Sequence, residues 1–232
     1  MLGVALLLVL LAVVNIAAAR WAERRNPPKG AFLQVGGVRL HYSDRGTGPA
    51  VVLLHGNAVT GDDYNTSGVA ERLLGTCRVI IFDRPGFGYS DRPRWRPWAA
   101  FEQAELLHKA LVQIGIQRPV VVGHSWGTMV ALAMAIRHPG STAGLVLLSG
   151  YYFPTFRLDA AMVAPGATPV LGDILRYTVS PVFGWLTMPL TKRAMFAPAP
   201  VAARFRAEYS NAMALRRSGP PAWTAPGWCR AR

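Results

Sequence analysis

Residues 123–127 read Gly-His-Ser-Trp-Gly and lie between an apolar run, Val120 to Val122, and a helix-like stretch, Thr128 to His138. Few folds admit such a junction. A serine on a sharp turn from strand to helix has its hydroxyl lifted above the sheet edge, and glycines flank it because backbones approach closely there. In that setting Ser125 is a candidate nucleophile, and the backbone N–H of Trp126 points at the developing oxyanion. Gly123, His124 and Gly127 shape the turn, with His124 directed away from Ser125. A plain glycine-rich strand-to-helix turn would carry the same pentapeptide, so its surroundings decide between the two readings.

Those surroundings alternate regularly. Phe32 to Val35 and Val38 to Ser43 flank Gly36-Gly37, a residue pair that a tight two-residue hairpin favours. Apolar runs then alternate with helical patterns: Ala50 to Leu54, a helix over Val69 to Leu74, Arg78 to Phe82, a helix over Phe101 to Ile114, Pro119 to Val122, a helix over Ser125 to Arg137, and Ala143 to Leu148. This predicts an α/β chain with a doubly wound, mostly parallel sheet. The unbroken apolar character of Val51 to Leu54 and Leu145 to Leu148 predicts strands covered by helices on both faces. Beyond Gly150, prolines at 154, 165, 169, 181, 189, 198 and 200 punctuate short apolar pieces, followed by an amphipathic helix from about Val201 to Leu215. The expected organisation is a membrane or signal segment over 1–19, a linker over 20–31, a core over 32–150, a helical lid over 151–215 and an irregular tail over 216–232. Ligands of open α/β sheets bind at the carboxyl ends of the strands, so a lid there would wall an apolar pocket above Ser125. Tyr151, Tyr152, Phe153, Phe183 and Trp185 are candidate walls, or simply packing between lid and body.

Leu2 to Ala19 is apolar except for Asn15, and at about 1.5 Å per residue it reaches roughly 27 Å, near the thickness of a bilayer's hydrocarbon layer. A membrane anchor is expected, with a cleaved signal peptide as the rival because Ala17-Ala18-Ala19 resembles a small-residue cleavage site. Arg20, Arg24, Arg25 and Lys29 follow the run and predict a body on the cytoplasmic side; signal cleavage would instead give a secreted or periplasmic protein. The net charge of +13 is scattered and accompanies no nucleic-acid-binding motif, so a membrane surface is the expected partner rather than nucleic acid. Cys77 and Cys229 fit no metal or redox spacing, and neither a metal nor a cofactor is expected.

A second motif, His55-Gly56-Asn57-Ala58, directly follows the third apolar strand. A loop there can turn the N–H of Asn57 toward the point served by Trp126, giving two donors for a tetrahedral oxyanion. His55, just before Gly56, is expected to orient its own loop by hydrogen bonding. Asp83 follows a strand and invites reading as a catalytic acid, but the glycine-rich turn from Arg84 to Ser90 can use its carboxylate to satisfy loop N–H groups.

Taken in order, the Gly-Gly hairpin, His-Gly-Asn, Phe-Asp-Arg-Pro-Gly-Phe-Gly-Tyr-Ser over Phe82 to Ser90, and Gly-His-Ser-Trp-Gly resemble the α/β-hydrolase superfamily. The resemblance runs from about Phe32 to Leu215 and is strongest to the lidded branch of epoxide hydrolases, haloalkane dehalogenases and haloperoxidase-like esterases. It implies a cofactor-free Ser-His-acid hydrolase acting through an acyl-serine on a small apolar or ester-like substrate, and it implies that Asp83 is structural. Dehalogenase and epoxide-hydrolase members use an aspartate nucleophile where this chain has Ser125. Asn57 with Trp126 nonetheless resembles the halide-binding pair of dehalogenases, which leaves such activity as a minor alternative.

The superfamily's triad order is Ser, then Asp or Glu, then His. After Ser125 the one histidine is His138, which ends the helix that Ser125 starts, roughly 20 Å away. The carboxylates after the elbow are Asp159, Asp173 and Glu208, all in the expected lid. No triad acid or histidine is identified, and against the superfamily's pattern the last strands and helices are lacking. The Arg-, Pro-, Gly- and Trp-rich stretch from Arg216 to Arg232 is what a GC-rich gene yields out of frame, so a truncated or frameshifted hydrolase is expected, with weak turnover. A non-catalytic remnant that binds a ligand or partner is the alternative.

Overall fold

The computed structural model describes residues 2–57, 59–93, 96–153 and 171–209. They fall into two compact units: one holds the sheet and its helices from residue 28 on, the other the first helix together with those after residue 170.

In the sheet unit, β1 (Ala31–Val35) and β2 (Val38–Arg45) form an antiparallel hairpin closed by the Val35–Val38 pair. Gly36 and Gly37 have φ of +54° and +75°, the left-handed conformation that a two-residue hairpin of matching twist requires at both positions. The remaining strands are β3 (Ala50–Leu54), β4 (Arg78–Phe82), β5 (Val120–His124) and β6 (Gly144–Leu148). The six-stranded sheet runs β1-β2-β4-β3-β5-β6, antiparallel at β1-β2 and β2-β4 and parallel thereafter. It is the expected mixed, mostly parallel sheet with flanking helices.

Alternate side chains of the central strands serve opposite faces. Val52, Leu54, Ile80, Phe82 and Val121 pack against α4 (Ala100–Gln113) and α5 (Gly127–Arg137) through Leu106, Leu107, Leu111, Val130 and Met134. Val51, Leu53, Val79, Ile81 and Val122 pack on the other face with Tyr64 of α2 (Asp62–Thr66) and Ala70 of α3 (Val69–Leu74). Covering both faces is why these strands read as unbroken apolar runs. The same expectation for Leu145 to Leu148 needs correction, because among the described strands β6 is bonded on one side alone, to β5, and Val146, Leu147 and Leu148 are exposed. The chain leaves β3 for β4 on one side and later returns to β5 on the other. The carboxyl ends of β3 and β5 therefore flank a switch point of the kind where open α/β sheets hold ligands.

The other unit contains α1 (Leu2–Arg25), α6 (Leu171–Tyr177), α7 (Val179–Phe196) and α8 (Ala203–Glu208). The α1 helix is long and apolar enough to cross a membrane, by length and composition. Asn15, the one polar residue of its apolar stretch Leu2 to Ala19, donates through Nδ2 to the carbonyls of Tyr177 (2.8 Å) and Thr178 (2.9 Å), at the junction of α6 and α7. Two expectations for this region need correction. The prolines do not chop residues 179–196 into short pieces: Pro181 lies in the first turn, where no intrahelical N–H is needed, and the helix continues through Pro189. The helix expected from Val201 starts at Ala203 and gives way to extended backbone at Tyr209. Residues 210–215, the expected tail 216–232, and Asp159 lie outside the described residues.

Candidate active site

Ser125 sits between the end of β5 and the start of α5 with φ +50°, a left-handed conformation that few non-glycine residues adopt. Its backbone is held at both ends. The N–H donates to the Leu148 carbonyl of β6 (2.8 Å), and its carbonyl accepts from the Thr128 N–H (3.0 Å) and hydroxyl (2.6 Å). The flanking glycines are dictated by crowding rather than by φ. A Cβ on Gly123 would stand 2.6 Å from the Gly127 carbonyl oxygen, and one on Gly127 would strike the carbonyls of Leu54 and His55 at the end of β3. The first turn of α5 is thus pressed onto the end of β3.

The loop after β3 meets the elbow directly. A Cβ on Gly56 would come within 3.1 Å of the Ser125 Cβ and 3.4 Å of His124 Nδ1, so Gly56 and Asn57 carry their backbone past the serine. His55 is fully buried: Nε2 accepts the Arg84 N–H (3.0 Å), and Nδ1 donates to the Gly56 carbonyl (2.7 Å). Burial, reinforced by the Arg84 charge, lowers its pKa to about 3 and keeps it neutral. Both ring nitrogens are committed to the loop.

Reading the sequence singled out no role for Arg84, yet this residue ties the site together. Fully buried, it donates from Nε to the His55 carbonyl (2.7 Å), from Nη2 to the Gly56 carbonyl (2.9 Å) and Asn57 Oδ1 (2.9 Å), and from Nη1 to Gln103 Oε1 (3.1 Å). Its guanidinium lies over the rings of Trp126 (4.6 Å) and Phe87 (4.7 Å). Burial pulls its pKa down to about 9, so it stays charged at neutral pH. One planar cation therefore fixes the loop bearing Asn57 and stacks on Trp126. The signal was present in Asp83-Arg84-Pro85-Gly86, but nothing local says that the arginine turns inward.

Asp83 serves the loops. Its Oδ1 accepts the Gly61 N–H (2.9 Å), and Oδ2 accepts the Tyr89 N–H (3.0 Å) and lies 2.8 Å from His41 Nδ1. Burial favours the protonated form of this carboxyl, but the His41 bond and charge, with His55 and the Tyr89 amide, outweigh it and hold the pKa below the ordinary range. A Cβ on Gly88 would collide with this carboxylate. Another residue that the sequence did not flag is Asp63 in α2, whose pKa is raised by burial and drawn back by nearby His124. His138 caps the far end of α5, stacked on His108 with centroids 3.7 Å apart and 2.8 Å from Glu105. Glu208 pairs with Arg204 within α8 (2.9 Å). Among the suggested walls, Tyr151 and Tyr152 pack against the core while Phe153 is exposed; Phe183 and Trp185 stand exposed on α7. Among the described residues no cluster of His, Cys, Asp and Glu could hold a metal.

Residues 49–171, just over half of the chain, match the family described as the alpha/beta hydrolase fold. A 2-hydroxymuconate semialdehyde hydrolase of Pseudomonas putida is 35% identical over 158 residues, covering 67% of this chain and 55% of that protein. Haloalkane dehalogenase 2 of Mycobacterium bovis is 31% identical over 140 residues, covering 60% and 48%. A thermophilic esterase from Thermogutta terrifontis superposes with a TM-score of 0.62 at 20% identity, over 83% of this chain and 72% of that one, a likeness of fold. The chain spans about half the length of the curated relatives it matches.

Proposed function

The chain belongs to the α/β-hydrolase fold family, and from that premise we propose that Ser125 is the nucleophile of an esterase- or lipase-like hydrolase working through an acyl-serine. The observation that carries this reading is the left-handed Ser125, at the start of α5 and in contact range of the Gly56 backbone. The Oγ of Ser125 attacks the carbonyl carbon of a small apolar ester, and the carbonyl oxygen gathers negative charge between the amides of Asn57 and Trp126. Collapse expels the alcohol, and water then releases the acid from the acyl-serine. Arg84 keeps both donors in place before the substrate arrives, so no reorganisation is needed as charge develops.

The proton on Ser125 needs an acceptor. His55 has both nitrogens engaged, His41 is paired with Asp83, and His108 and His138 stack at the far end of α5. His124, next to the serine, has a buried Nδ1 with no hydrogen-bond partner, but its place in the elbow turns it aside. His41 Nε2 is likewise buried without a hydrogen bond, on a ring already held by Asp83, and His138 Nε2 lies beside Glu105 at the far end of α5. On this reading turnover by the chain is low, resting on the oxyanion donors and binding. The same observation favours the second reading, a non-catalytic member that binds an apolar ligand. A fluorophosphonate probe separates the two. Labelling that disappears in Ser125→Ala supports the hydrolase, and silence of a folded protein toward the probe favours the binder.

We also read α1 as a membrane anchor that leaves the sheet unit on the cytoplasmic side. Support comes from the apolar stretch Leu2 to Ala19 of α1, followed by Arg20, Arg24, Arg25 and Lys29. A C-terminal reporter active only outside the cytoplasm would reverse the orientation.

A further inference from the structure

From the unit shared by α1 and the later helices, we propose that α7 is a second membrane-contacting element, lying in the headgroup and upper acyl region of an anionic bilayer beside α1. This inference rests on reading α1 as an anchor. From Val179 to Thr191 the helix carries no charge, and none of its residues is buried. Val182, Phe183, Trp185, Leu186 and Leu190 all project outward, with Trp185 69% and Leu190 68% exposed. An uncharged helix that exposes this many large apolar side chains needs a cover of lipid or protein. The uncharged run reaches roughly 20 Å, short of the roughly 30 Å needed to span, which is the length of an interfacial or re-entrant segment.

Two further observations choose the occupant. Asn15 joins α1 to the carbonyls of Tyr177 and Thr178, immediately before Val179, so the start of α7 is fixed at the depth of Asn15. That depth is about 7.5 Å of helix from Arg20, just below where a charged residue would meet the headgroups. Lys192 and Arg193 then end the apolar run of α7, as Arg20, Arg24 and Arg25 end that of α1, and both sets suit anionic headgroups. Trp185, an aromatic amphiphile on this helix, fits the interfacial belt.

The test uses the full chain carrying Cys77→Ser and Cys229→Ser, reconstituted in vesicles of phosphatidylcholine with phosphatidylglycerol. Single sites Trp185→Cys, Leu190→Cys, Val9→Cys on α1, and Val112→Cys on the solvent side of α4 are labelled with an environment-sensitive fluorophore. The expected result is blue-shifted emission at 185 and 190, quenched by nitroxides on the lipid chains and spared by aqueous iodide. Val112 should show the reverse, and Leu186→Asp should abolish the lipid quenching at 190. Iodide quenching at 185 and 190 while Val9 stays in lipid overturns the proposal and leaves the anchor intact. Shielding from both quenchers also overturns it, since protein, such as a second copy, would then cover the helix. Iodide quenching at Val9 refutes the anchor separately, whichever way 185 and 190 respond.

Discussion

Ser125 holds a conformation that costs a non-glycine residue on the order of 1–3 kcal/mol, and the crowded backbones of β3 and α5 maintain it. Ser125→Gly should therefore abolish probe labelling while raising the unfolding free energy by about 1 kcal/mol. A lowered urea midpoint in that variant would show that the backbone is not strained. His55 sets a second residue-scale behaviour. Above pH 6.5 it is neutral in both states; between pH 6.5 and about 3 the unfolded chain binds a proton there that the folded chain refuses. Stability should fall as pH drops through that window, by up to about 1.4 kcal/mol per unit. His55→Gln should flatten the slope in urea titrations at pH 4 to 7, whatever its own cost at neutral pH. The two motifs flanking the switch point were legible in the sequence because glycines and a serine at a strand end have few alternative uses. Arg84 was not, because an arginine's burial is decided by partners distant in sequence, here His55, Gly56, Asn57 and Gln103.

The central strands could be read almost to the residue, since a fully covered strand is a closed apolar run and β3, β4 and α3 begin and end where the runs do. The helices after residue 170 were harder to read. Proline is a reliable breaker only in a helix interior, and Pro181 occupies a first turn. The strand β6 carries its own consequence. Among the described strands it is bonded on one side alone, to β5, and Val146, Leu147 and Leu148 are exposed. Such an edge templates pairing with other chains. Val146→Lys should reduce concentration-dependent light scattering of the detergent-solubilised chain without altering its circular dichroism; unchanged scattering would place the sticky surface elsewhere.

At the scale of the whole molecule, the excess positive charge is scattered and gathers no nucleic-acid motif, but Arg20, Arg24 and Arg25 end the apolar run of α1 and Lys192 and Arg193 that of α7. An anchored chain should stay with membranes through high salt and alkaline carbonate and be released by detergent, and mass spectrometry should find residues 1–19 still attached. Release by carbonate, or a mature N-terminus near Arg20, would favour the cleaved signal. If α1 stays, Asn15 makes it more than a tether. By satisfying two carbonyls at the junction of α6 and α7 it clocks the helix, fixing which of its sides faces its neighbours and how far along its axis they meet. A generic apolar span could replace its greasiness but not its azimuth, so the anchor is a keyed part and not an interchangeable one.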